Sequence, residues 1–79
     1  MPAASPPSKW TALSSSAVSV ARFDPPAVGQ SYGTLSVIFK SGRSYDYAVP
    51  PDVAAGLFSS PSPGRYVRDV LLGYPYNGG

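Results

Sequence analysis

Residues Ser36 to Pro51 read SVIFKSGRSYDYAVPP, and this stretch decides the fold class. With Leu35 in front of it, Leu35, Val37 and Phe39 alternate with Ser36, Ile38 and Lys40. Beyond Ser41-Gly42, Tyr45, Tyr47 and Val49 alternate with Ser44, Asp46 and Ala48. Period-two alternation on both sides of a two-residue Ser-Gly link predicts a β-hairpin. One face of that hairpin is apolar, and the rest of a small domain must cover it.

Working outward, Ser14 to Phe23 reads as a first strand, with Val18 and Val20 alternating with Ala17, Ser19 and Ala21. Asp24-Pro25-Pro26 ends it, because two prolines cannot continue a central ladder. Ala27 to Gly33 is a loop. After the hairpin, Pro51 suits a first helical position and Asp52 favours the positive end of a helix dipole. A short helix follows, with Val53, Leu57 and Phe58 on one face and Gly56 limiting its length. Beyond a Pro-rich break at Ser59 to Gly64, a second helix is predicted from Arg65 to Leu72. Tyr66, Val70 and Leu71 point inward there, and Gly73 is its left-handed cap. The expected fold is α+β: a three-stranded antiparallel β-meander with two short C-terminal helices packed on one face. Residues 1–13 form a Pro/Ser/Ala-rich arm, 14–76 the domain, and 77–79 a tail.

Composition narrows the chemistry. The 79-residue chain has no cysteine and no histidine, which excludes disulfides, thiolate metal sites and the commonest general base. Only four aspartates supply carboxylates: Asp24, Asp46, Asp52 and Asp69. No nucleophile stands beside a plausible base, so the expectation is a non-enzymatic protein with no cofactor and no metal. Six Lys/Arg against four acids leave a net charge of +2, spread thinly along the chain as Lys9, Arg22, Lys40, Arg43, Arg65 and Arg68. That makes a weak electrostatic case for gripping phosphates. No stretch is apolar and long enough to span a bilayer. MPAASPPSKW lacks the basic head and apolar run of a signal peptide, so a cytoplasmic or virion-associated protein is expected.

The ordered set Ser15-Ser16, Phe23-Asp24, Leu35-x-Val37-x-Phe39, Gly42, Tyr45-x-Tyr47, Val49-Pro50, Val53, Leu57, Ser62-x-Gly64-x-Tyr66 and Tyr74-x-Tyr76 resembles the KTSC domain. That domain occurs at the C-terminus of some lysyl-tRNA synthetases and as a stand-alone protein in bacteria and phages. The resemblance implies a small binding module, with RNA binding suggested for the family. It departs at Ala54, Val67 and Arg68, where the family tends to carry aromatic residues or Asn, and these departures remove groups that a ligand site would use.

Two functional expectations remain. The first is a module acting through protein–protein contacts, an accessory or structural subunit of a larger assembly, with phage or virion-type assemblies among the settings it fits. Its partners are other protein subunits or copies of itself. Few charges with many Tyr, Trp and Arg is how interface cores are composed. The partner-binding candidates are Trp10 and Leu13 in the arm, an exposed Ile38, and Tyr74 and Tyr76. The alternative is binding of RNA, single-stranded DNA or a signalling nucleotide, with tyrosines stacking bases at about 1–3 kcal/mol each. Arg43, Tyr45, Tyr47, Arg65, Tyr66 and Arg68 are its candidates. Tyr45 and Tyr47 share a strand face with Val49, so they read as core in preference to ligand-facing rings.

Overall fold

The computed structural model describes residues 7–78, so residues 1–6 of the expected arm, and Gly79 of the expected tail, lie outside the described residues. Five antiparallel strands run in chain order across a single sheet: β1 (Thr11–Ala12), β2 (Val18–Asp24), β3 (Gly33–Phe39), β4 (Ser44–Val49) and β5 (Tyr76–Gly78). Two helices, α1 (Pro51–Ser59) and α2 (Pro63–Asp69), follow β4, and a 3₁₀ turn at Leu71–Gly73 leads into β5. The three-stranded meander expected from the sequence is therefore corrected to five strands. The central β2-β3-β4 trio is flanked by an edge strand from each end of the chain. β1 comes from the supposed arm, and β5 from the Tyr-Pro-Tyr segment and the supposed tail.

The alternation that identified the hairpin works as it should. Leu35, Val37, Tyr47 and Val49 point to one face and are buried there with Val18, Ala21 and Phe23. Ala54 and Leu57 of α1, Val67 of α2 and Leu71 complete a single core between sheet and helices. Val53 and Phe58 pack at its border.

Three local expectations change. The hairpin loop is three residues, Lys40 to Gly42, because Phe39 bonds across it to Arg43 and the Gly42 N–H donates to the Phe39 carbonyl at 2.9 Å. Gly42 takes φ +94°, the left-handed residue that a three-residue loop requires. In β2, Val18 pairs with Phe39 but Val20 pairs with Ile38, so Ser19 is the extra residue of a β-bulge. The bulge flips the phase: Val18 and Ala21 face the core and Val20 turns away. The residues Ser14 to Ala17, expected in the strand, form a turn before it. Lastly, α2 starts at Pro63 and ends at Asp69, and Gly73 is not among the positive-φ glycines, so it is no left-handed cap.

Tyr66 ties the two helices together. Its hydroxyl donates to the Val53 carbonyl at 2.7 Å, and it crosses α1 at Gly56, where any Cβ would run into the Tyr66 hydroxyl. Gly56 thus costs helix propensity in exchange for this crossing. Burial, then the neighbouring Tyr74 and Asp52, raises the Tyr66 hydroxyl above the ordinary tyrosine pKa, and burial acts likewise on Tyr47. Their contribution to stability is complete below the unfolded-state value near pH 10 and is lost as pH rises through the folded-state values, because the unfolded chain releases those protons first. Tyr66→Phe is expected to lower stability by about 1 kcal/mol at neutral pH and to flatten the decline above pH 10. Urea melts at pH 7 and pH 10.5 would check both.

Candidate binding surfaces

Three elements meet at one end of the sheet: the Ser14–Ala17 turn, the β3-β4 loop and α2. The Ser15 Oγ accepts the Ala17 and Val18 N–H groups, both at 3.1 Å, which fixes the turn. The Lys40 N–H reaches the Ala17 carbonyl at 2.8 Å, which brings the hairpin loop alongside. Gly64 lets α2 approach from the other side, since a Cβ there would sit 3.0 Å from that of Ala17.

Two clefts share Ser16 and Ala17. A polar one of about 480 Å³ lies between Ser14–Ala17 and Pro61–Arg65, with Arg65 and Arg68 on its wall. A more apolar one of about 400 Å³ is lined by Phe39, Lys40, Ser41, Arg43 and Tyr45. Four of the six basic residues, thinly spread in sequence, therefore gather around one turn. Asp69 partly answers them, at 3.7 Å from Arg68 Nε and 4.0 Å from Arg65 Nε, but these exposed contacts leave both guanidinium groups largely solvated. Ser14, Ser16 and Lys40 were not singled out from sequence as site residues. Arg43, Tyr45, Arg65 and Arg68 were named from sequence and do line these clefts, and the Ser15-Ser16 and Ser62-x-Gly64 motifs converge on the polar one from 46 residues apart.

The tyrosines divide. Tyr47 is 2% exposed and belongs to the core, so its ring offers no stacking face, whereas Tyr66 is half-buried and packs against the core border. Tyr45 is half-buried and borders the apolar cleft, its ring edge-on to Phe39 at 5.6 Å. Tyr76 of β5 lies against Tyr45 and Tyr47, at 5.8 and 5.9 Å between ring centres, and remains 57% exposed. Tyr74 packs against the core border and Tyr32.

Among the described residues no helix lies on the other sheet face. Across it run Val20, Arg22 and Asp24 of β2, Thr34, Ser36 and Ile38 of β3, and Ser44, Asp46 and Ala48 of β4. Ile38, expected to be exposed, is half-buried there by its neighbours. Trp10 lies over Arg22, the guanidinium carbon 5.3 Å from the ring centre, and is half exposed. Arg22 also pairs with Asp24 at 3.2 Å, while its Nε is covered and without an acceptor. Leu13, the other arm candidate, packs on the core border instead. Trp10, Ile38 and Arg22 thus share the open face, and Leu13, Tyr74 and Tyr76 do not.

Among the described residues no group of three or more His, Cys, Asp or Glu side chains is placed to hold a metal ion. None of their helices is long and apolar enough to cross a membrane. Fold and surfaces together define a small α+β module built on an antiparallel sheet, whose distinctive surfaces are an open sheet face and a basic, serine-lined end. The chain belongs to the KTSC family: the KTSC domain matches residues 14–74. The match takes in β2 to β4 and both helices, and both edge strands fall outside it. No curated protein matches the chain.

Proposed function

We propose that this protein is a non-enzymatic binding module that acts through protein–protein contacts made by the open sheet face, as an accessory or structural subunit of a larger assembly. The observation that carries the reading is a whole face of a five-stranded sheet left uncovered by the helices, with Trp10, Val20, Ile38 and Ala48 on it and, among the described residues, three charges: Arg22, Asp24 and Asp46. Aromatic and aliphatic groups among few charges are the composition of an interface centre. Edge strands as short as β1 and β5 disfavour association by strand addition, so the face is the better contact than the edges. A photo-crosslinking side chain at Thr34, exposed on the central strand of the face, is expected to trap a protein partner, whereas one at Asp52 on α1 should not. Equal labelling from both positions, or none from Thr34, would sink the reading.

A second reading has its own support. Arg43, Arg65, Arg68 and Lys40 gather around Ser16-Ala17, beside the half-exposed Tyr45, which is the pairing of phosphate-holding cations with a stacking ring that single-stranded nucleic acid or a nucleotide uses. It expects salt-dependent binding of a short single-stranded RNA or DNA, weakened at least tenfold by Arg65→Ala with Arg68→Ala. Flat fluorescence titrations at low salt would dispose of it.

A further inference from the structure

We infer that the partner of the open face is a second copy of this chain, docked face to face about a two-fold axis; this rests on the reading of that face as a protein-contact surface. Register places Arg22, Ser36, Asp46 and Asn77 in one row across the sheet, with Trp10 stacked on Arg22 at the β1 end. The row is charged oppositely about its centre: a cation on β2, the small Ser36 on the middle strand β3, a carboxylate on β4. Ser36 is only 8% exposed, a low floor between two longer side chains.

Isologous face-to-face contact requires a two-fold axis lying between the two faces. If that axis runs nearly parallel to β3, rotation reverses the order of the strands and keeps each row opposite itself. Arg22 then faces Asp46 of the second copy, and Asp46 faces Arg22 of the second copy. Along the axis Ser36 meets Ser36, Ile38 meets Ile38 and Thr34 meets Thr34. Asp24, which already holds one side of Arg22, falls opposite Ala48. An axis perpendicular to the strands would instead set Arg22 on Arg22 and Asp46 on Asp46, so charge selects the first arrangement. Packed sheets stand about 10 Å apart, a gap that an extended arginine and an aspartate fill together.

Size limits the strength of the contact. Five strands about 4.8 Å apart, with the longest seven residues at about 3.3 Å each, outline roughly 500 Å² per copy. Standard stable complexes bury about 800 Å² per partner, so the dimer is expected to dissociate in the micromolar to submillimolar range.

The test is sedimentation of the full chain from about 10 µM to 1 mM. Wild type is expected to shift from monomer to dimer across that range. R22E and D46R should each be monomeric alone, because each sets like charges opposite one another at both pairs. Mixed in equal amounts they should form a heterodimer, since both pairs are then attractive. A wild type monomeric at 1 mM, single variants that dimerise like wild type, or a mixture that stays monomeric would each overturn the proposal. If R22E fails to fold by circular dichroism, D46R, altered at an exposed position, decides alone: a retained dimer refutes. The Thr34 crosslinker separates this inference from the reading beneath it. Capture of Thr34 in a second copy supports the dimer. Capture of a different protein refutes the dimer and leaves the open-face reading standing, and an internal link to residues 1–6 refutes both.

Discussion

Leu57→Ala is expected to cost about 3 kcal/mol of stability. Leu57 is wholly buried in the core between the α1 helix and the sheet, alongside Ala54, Val67 and Leu71. Truncation removes its buried methyl and methylene groups and leaves a cavity that a sheet and two short helices can only partly close. A 79-residue chain of ordinary stability has roughly 4–12 kcal/mol in all, at about 0.05–0.15 kcal/mol per residue, so one substitution consumes a large share of it. The urea midpoint should fall by about 3 M, taking a slope near 1 kcal/mol per molar for a domain this small. Leu72→Ala is the matched control. Leu72 is 57% exposed, and its removal should change stability by less than about 0.5 kcal/mol. Equal effects at the two leucines would mean that the helical layer does not pack as described.

Gly33→Ala should destabilise by about 2–3 kcal/mol. Gly33 opens β3 opposite Val49, on the buried face. A Cβ there would press into the Asp24 carbonyl oxygen of the neighbouring strand and come within 2.9 Å of Phe23 Cε1, with Cζ of the same ring nearer still. Neither backbone nor a core ring can move aside cheaply, so the strands must part or Phe23 must leave its place. Gly73 supplies the contrast: it has open space around it and no positive φ. Gly73→Ala should be neutral or stabilising by about 0.4–1 kcal/mol, through lower entropy of the unfolded chain. Thermal melts of the pair would show the opposite signs directly.

The legible parts of this fold were those in which side chains encode the backbone. Alternation from Leu35 to Val49 marked the central hairpin, and Pro51 with Asp52 marked the start of α1. The edge strands carried no such code. Thr11-Ala12 is too short to show a period, and Tyr76-Asn77-Gly78 contains two poor strand formers held by backbone pairing to Tyr45–Tyr47. The bulge at Ser19 hid the phase of β2 for a related reason, since an inserted residue makes Val18 and Val20 look like neighbours on one face when they are not. The candidate surfaces were half legible. Arg43, Arg65 and Arg68 stand out from sequence as phosphate-holding candidates and Trp10 as a partner contact. That Arg43, Lys40 and the Ser14–Ala17 turn come to the same place depends on tertiary approach, through Gly64 and the Lys40–Ala17 hydrogen bond, which no local pattern records.

The two edge strands also settle where the chain enters and leaves. Thr11, Ala21, Val37, Tyr45 and Gly78 lie in one row, so the start of β1 and the end of β5 stand four strand spacings apart, about 19 Å. Because β1 and β5 run in the same direction, the two ends also exit toward opposite rims of the sheet. A circular permutant joining them would need a bridge of at least about six extended residues laid across a face of the sheet. Fused between two other domains, the module would hold its neighbours apart on opposite flanks, as a spacer.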